Sequence, residues 1–356
     1  MTNVFMKQTI LYGLSGEGSG HASRARALVP YLERLGYEVQ VVGCGRATEQ
    51  LKTSVSHYTD IFGFHISYKA GKADFLETFT HNLFASRKAL RTILTLDKLV
   101  KTIKPVLVIS DFEPFVSYTS YRHKIPLISV DNQHVLTNAV ITKAQRNRVA
   151  SLAAEALIRL VVPRAQHFFV TSFVPLKVKR KNTTIIPPIV DQTLQQYQPT
   201  SGQQVLVYMN NASLQDTLLP ALEAVGDNFI MYGARPHTKS KLILKPFSRA
   251  GFLYDLANAR AVIATAGFSL LSEALFLRKP FLALPSQDQF EQILNASQLE
   301  SAGYGRAAYT DPTREDIESF LYRVPEFSHN LESYPFSDLE QPLKIIGQKV
   351  KEIARD

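Results

Sequence analysis

Short, mostly apolar runs recur along the chain, separated by longer stretches whose apolar positions follow helical spacing. Thr9 to Leu14, Glu38 to Gly43, Val106 to Ile109, Leu127 to Val130, His167 to Val170 and Thr184 to Ile186 read as strands. Helices are expected over His21 to Leu35 and from about Ala73 to Ile103. Strands alternating with helices predict parallel sheets joined by helical crossovers. Pro187-Pro188 and the polar run Gln192 to Gln204 break all periodicity and mark a linker. A second sheet starts at Val205 to Tyr208, continues through Phe229 to Tyr232 and reaches an apolar strand from Ala261. The expectation is an α/β chain of two Rossmann-like halves facing a central cleft. Its boundaries fall at 1–190, a linker over 191–203, 204–337, and a last helix within 338–356. That helix, about Asp338 to Ala354, carries Leu343, Ile345, Ile346, Val350 and Ile353 on one face.

Composition agrees: 356 residues, 45% hydrophobic and 20% charged, suffice for two ordinary domains with sizeable cores. No segment reaches the roughly 18 uninterrupted apolar residues of a spanning helix, and Met1 to Lys7 begin no long apolar run. A lone cysteine, Cys44, fits packing in a reducing compartment, so a cytoplasmic protein is expected. The net charge of +9 calls for an anionic partner, which a nucleotide diphosphate, an anionic lipid surface or a nucleic acid would each satisfy. Basic residues cluster at Arg87 to Lys104, Lys143 to Arg148 and Lys177 to Lys181, all in the first half; such clusters are usually solvated faces. No aromatic and basic interleaving of a nucleic-acid motif accompanies them, so nucleic acid is not expected.

The most informative stretch runs from Ala261 through Thr265, Gly267 and Glu273 to Lys279-Pro280, Pro285, Glu291-Gln292 and Asn295. A buried strand ends in a glycine turn and a helix starts at once. Free N–H groups of Gly267, Phe268 and Ser269 there form a positive pocket suited to a diphosphate. Glu273, about one and a half turns on, can accept hydrogen bonds from ribose hydroxyls, and Glu291 with Gln292 can bond a sugar. All lie at the carboxyl ends of strands, where open α/β sheets hold ligands.

This segment resembles the donor-binding region of GT-B glycosyltransferases, especially the MurG-like glycosyltransferase family 28 group and related archaeal and bacterial proteins. The resemblance implies that Gly267 to Ser269 hold the phosphates, Glu273 the ribose, and Glu291 with Gln292 the donor sugar. Plant and animal relatives place His where this chain has Thr265. Relatives carry a glycine-rich turn where Asn210 stands, and asparagine tolerates the left-handed angles of such a turn. Arg235 can reach a phosphate, and relatives bind the base through backbone groups at the position of Phe247 and Ser248. In such folds the C-terminal helix packs back toward the first domain.

A second motif, Gly13-Leu-Ser-Gly16-Glu17-Gly18-Ser19-Gly20-His21, joins the first strand to the first helix. Its glycine spacing and the lack of an acid ending the second strand disfavour a dinucleotide, and it is no Lys-Ser/Thr phosphate loop. MurG-like enzymes have a glycine-rich loop ending in Gly-His here, facing the acceptor. His21 is the candidate general base, an imidazole being largely neutral at pH 7; a histidine that only bonds a loop or a phosphate is the alternative. Ser110-Asp111-Phe112-Glu113-Pro114 and Asp131-Asn132-Gln133-His134 follow the next two strands, a pair that recurs in the MurG-like group. They suggest acceptor recognition by Glu113, Asp131, Gln133 and the loop Gly18, Ser19 and Gly20, with Asp111 or His134 as another base. Helix capping by Asp111 and Asp131 explains those two acids equally well. Asp111 and Glu113 only superficially resemble a metal-binding Asp-x-Asp, and the other histidines lack ligand spacing, so no metal or other cofactor is expected.

The resemblance implies an inverting transferase moving a sugar from a nucleotide sugar, expected to be a UDP-sugar, to an acceptor hydroxyl, with a lipid-linked or membrane-surface acceptor as one reading. A UDP-sugar 2-epimerase of the same fold and a noncatalytic nucleotide-sugar-binding protein are the alternatives.

Overall fold

The structure, a computed structural model, describes residues 7–16, 19–49, 51–52, 54–63, 68–69, 72–73, 86–141, 148–209, 212–233, 237–239, 241–286 and 289–355. Contacts divide the chain into two units, Met1–Asp191 with Asp338–Asp356, and Gln192–Ser337.

The first unit is built on seven parallel strands: β1 (Thr9–Leu14), β2 (Glu38–Gly43), β3 (His57–Asp60), β4 (Leu107–Asp111), β5 (Leu127–Asp131), β6 (His167–Thr171) and β7 (Thr183–Ile186). They lie in the order β7-β6-β5-β4-β1-β2-β3. β1, β4 and β5 are buried along almost their whole length, as strands covered on both faces must be. Strand β3 and the helix Arg148–Val161 are additions that the apolar pattern had not marked. The helix expected from about Ala73 is described from Ser86 to Ile103, and residues 74–85 of that expectation lie outside the described residues. Helix α1 (Ser19–Arg34) follows β1, and α2 (Pro114–His123) follows β4. The C-terminal helix, Gln341–Ile353, buries Leu343, Ile346, Val350 and Ile353 in this unit's core.

The second unit has strands β8 (Val205–Tyr208), β9 (Phe229–Tyr232), β10 (His237–Lys239), β11 (Leu242–Lys245), β12 (Ala261–Ala264), β13 (Phe281–Ala283) and β14 (Gly305–Ala307). Their order is β10-β11-β9-β8-β12-β13-β14, parallel except for β10 against β11. Helices α3 (Arg249–Asn258), α4 (Phe268–Phe276) and α5 (Phe290–Ser301) carry its polar edge. In the polar run expected as a linker, Gln192–Gln196 form a 3-10 turn with Leu194 fully buried.

Candidate active site

In the first unit, register sets Leu14 beside Asp111 and Ser110 beside Ser129, so the ends of β1, β4 and β5 meet at one edge. Ser15 N–H donates to the Asp111 carbonyl (3.0 Å) and ties the glycine loop to that edge. Asp111 is wholly buried and fully used. Its Oδ1 lies 2.7 Å from His21 Nδ1 and accepts from Arg24 Nη2 at 2.6 Å; its Oδ2 accepts from Arg24 Nε at 3.0 Å and from the Tyr12 hydroxyl at 3.2 Å. Burial alone raises an acid's pKa, but Arg24 and His21 more than offset it and hold Asp111 below the ordinary carboxylate value. Burial, reinforced by Asp111, pushes the Tyr12 phenol well up, so it stays a donor.

Asp111 therefore caps no helix, contrary to the reading that gave it that role. The N-cap of α2 is Glu113, whose Oε2 accepts from Val116 N–H at 2.7 Å. Phe112, between the two acids, takes a left-handed φ of 55°, a conformation that costs a non-glycine residue about 1 kcal/mol or more. Ser110 locks this turn by accepting from Glu113 N–H and donating to its carbonyl. Glu113 Oε1 is buried with no partner among the described residues, and burial raises this carboxyl to about 7 despite its bonds to the helix backbone.

At the end of β5, Asp131 does cap the following turn, accepting from His134 N–H at 2.9 Å. It also faces His134 Nδ1 at 2.7 Å and accepts from Ser129 Oγ at 2.6 Å. Burial works to raise the Asp131 pKa, and His134 more than reverses it. His134 is buried between Phe112 and Phe168, and its Nε2, like Gln133 Oε1, finds no protein partner. Helix α1 begins at Ser19 and includes Gly20, while Gly18 lies outside the described residues.

In the second unit, β12 ends at Ala264 and Gly267 becomes the N-cap of α4, with Phe268 and Ser269 as its first helical residues. Thr265 lies in the short loop between them and is half-buried. Gly267 has φ −65°, open to any residue, and a Cβ placed on it would meet no atom of the described residues within 4 Å. Neither backbone strain nor internal packing therefore requires glycine at this position. Asn295, from α5, donates to the Ala266 carbonyl at 2.9 Å and pins the loop.

Glu273 is buried and gripped by Arg249, Nη2 to Oε1 at 2.6 Å and Nη1 to Oε2 at 3.3 Å. Nothing local in the sequence marks Arg249 as the partner of Glu273, 24 positions away. Ser248 caps α3 by accepting from Gly251 N–H at 3.4 Å. Phe247 is 58% exposed, yet its ring lies within 6.4 Å, centre to centre, of Tyr208, Tyr232 and Phe252. Glu291 opens α5, and Gln292 turns inward, its Oε1 accepting from Ser286 N–H at 3.1 Å and its Nε2 donating to Gln289. Asn210 and Arg235 lie outside the described residues. Among the described residues, no group of three or more His, Cys, Asp or Glu is arranged to hold a metal ion.

Residues 8–325 match the sequence model of a family described as glycosyl transferase family 1. The chain belongs to glycosyl transferase family 1. The resemblance seen in the sequence was to the family 28 group, and MurG-type enzymes are indeed among the relatives of this glycosyltransferase. One is the UDP-N-acetylglucosamine–N-acetylmuramyl-(pentapeptide) pyrophosphoryl-undecaprenol N-acetylglucosamine transferase 1 of Bacillus thuringiensis, 22% identical, with 92% of each chain covered. An uncharacterized glycosyltransferase of Methanosarcina acetivorans is 25% identical over 88% of this chain and 91% of its own. In fold, the glycosyltransferase is similar to the calicheamicin glycosyltransferase CalG4, with TM-score 0.68, 16% identity and 98% of both chains covered. The spinosyn rhamnosyltransferase SpnG, complexed with thymidine diphosphate, aligns with TM-score 0.65 and 13% identity over 96% of this chain and 99% of its own. The glycosyltransferase is thus an enzyme of GT-B fold, a class that takes its sugar from a nucleotide-sugar donor.

Proposed function

We propose that this glycosyltransferase binds a UDP-sugar through α4 and moves the sugar, with inversion and without a metal, to an acceptor hydroxyl deprotonated by His21. The observation that carries the donor half is Gly267: it caps the start of α4, the end of a helix that favours an anion, and no Cβ contact among the described residues requires a glycine there. An exposed helix terminus contributes only about 0.3–1 kcal/mol toward an anion, whereas micromolar binding needs about 8 kcal/mol. The remainder must come from elsewhere. Glu273, a buried carboxylate held in place by Arg249, contributes as an acceptor for the ribose hydroxyls. The exposed Phe247 ring offers a face for the base. The Bacillus relative's name specifies a UDP-sugar, which supports uracil as that base.

His21 supports the acceptor half. With Nδ1 turned to Asp111, its Nε2 takes the acceptor proton as the acceptor oxygen bonds the anomeric carbon. The bond to the diphosphate breaks at the same time, and the leaving oxygen keeps the electron pair under the N–H groups of α4. Glu113, Asp131, Gln133 and the loop at Gly20 orient the acceptor, and Asp131 with His134 forms a second pair of the same kind. The acceptor is proposed to lie at a membrane surface. On the helix Ser86–Ile103, Leu90 and Leu94 are exposed one turn apart among exposed Arg87, Lys88, Arg91 and Lys98, a face suited to anionic lipid. Among the described residues, no helix is long and apolar enough to cross a membrane.

A melting screen against UDP, dTDP and GDP tests the donor reading. UDP is expected to raise the melting temperature most, and Glu273→Ala to abolish that shift. If UDP gives no shift in the intact protein, the donor assignment fails. His21→Ala should bind UDP within about twofold of the parent and release UDP from a UDP-sugar about 100-fold more slowly or worse, the scale of a lost general base. An epimerised sugar recovered in place of a transferred one would overturn the reaction class.

A further inference from the structure

Arg24 follows His21 by three positions on α1, so both side chains leave one face of that helix toward β4. No motif drew attention to it. It is 3% exposed against a fully buried partner, and a charge in that setting is retained only when paired. Burial works against the guanidinium's charge, and Asp111 more than offsets it. The same Nη2 that donates to Asp111 stands 2.9 Å from His21 Nδ1.

Nδ1 therefore faces a permanent donor and a carboxylate oxygen together, and can serve only one. Were it to accept from Arg24, its lone pair would sit 2.7 Å from Asp111 Oδ1, acceptor against acceptor. The Arg24 proton is better used on that oxygen, where a charge-assisted bond is roughly twice as strong as a neutral one. Resting on the proposed role of His21 as base, the geometry points to Arg24 as a positioning residue: by forking onto Asp111 it commits the His21 proton to Nδ1 and leaves the Nε2 lone pair for the acceptor hydroxyl. Among the described residues, the other titratable groups acting on Arg24 are Tyr12 on β1 and Asp131 on β5.

Nitrogen-15 NMR of the full chain, with His21 identified by its loss in His21→Gln, reads the tautomer with no acceptor present. The expected result is the Nδ1–H form. Arg24→Met should move the His21 ring-nitrogen signals away from the parent's tautomer pattern, because Asp111 then loses the fork that fixes it against Nδ1. Arg24→Lys keeps the charge without the fork and should move them less. An Nε2–H tautomer in the parent, or the same ring-nitrogen pattern in parent and Arg24→Met, overturns the inference. If Arg24→Met does not fold, the parent's tautomer decides. Retained UDP release in His21→Ala would instead sink the base reading itself, whereas its loss alongside an Nε2–H tautomer sinks only the role of Arg24.

Discussion

Glu113 joins helix capping and proton binding in one side chain. One oxygen secures the first turn of α2, while the other is buried with no partner among the described residues. Desolvation raises its pKa to about 7, so the folded state binds a proton that the unfolded chain, near the ordinary value of about 4.3, has already lost. Between those values the native state holds more protons, and its stability falls as pH rises. The contribution is present below about pH 4.3 and gone above about pH 7. Glu113→Gln keeps a neutral acceptor at the cap, so it should raise the melting temperature at pH 8 by a few degrees, about 2–4 °C per kcal/mol for a chain of this size, and change little at pH 4. Equal effects at both pH values would mean that the carboxyl does not titrate in this window.

At the level of the element, α4 separates what the fold needs from what the proposed ligand needs. Among the described residues, a methyl on Gly267 has open space and an ordinary backbone to sit on. Gly267→Ala should therefore leave stability unchanged or raise it by about 0.4–1 kcal/mol through the unfolded chain. UDP affinity, in contrast, should fall tenfold or more, because the backbone can no longer approach the diphosphate. Calorimetry on the variant checks both numbers. Unchanged affinity would place the phosphates elsewhere. Gly347 in the C-terminal helix is the opposite case: a Cβ there would come within 2.7 Å of the Tyr31 ring and 2.8 Å of Leu35, so this glycine serves packing.

Across the whole molecule, an excess of nine positive charges meets a first unit with exposed leucines on a basic helix. Vesicles containing about one fifth anionic lipid should therefore pellet the protein, and neutral vesicles should not. Binding should weaken as salt rises from about 0.05 to 0.5 M, since the Debye length shrinks to a few ångströms. Leu90→Asp with Leu94→Asp should reduce sedimentation while leaving UDP binding in the second unit intact. Sedimentation with neutral and anionic vesicles alike, or with neither, would remove the membrane from the account of the acceptor.

What the sequence determined by itself is burial. β1, β2, β8 and β9 were readable to the residue, because mostly apolar runs are the direct consequence of covering strands on both faces. The start of α4 was readable too, from a glycine three residues after such a run. Strand β3, with its polar His57 to Asp60, and the edge strand β10 sent no such signal, since edge strands need not be apolar. Tertiary structure alone decided who pairs with whom. Arg24 meets Asp111 across 87 positions and Arg249 meets Glu273 across 24, because strand register and helix packing bring them together. It also moved the cap of α2 from Asp111 to Glu113. Local patterning records how much water a position sees; the partner of a buried charge is chosen by geometry that no short stretch of chain contains.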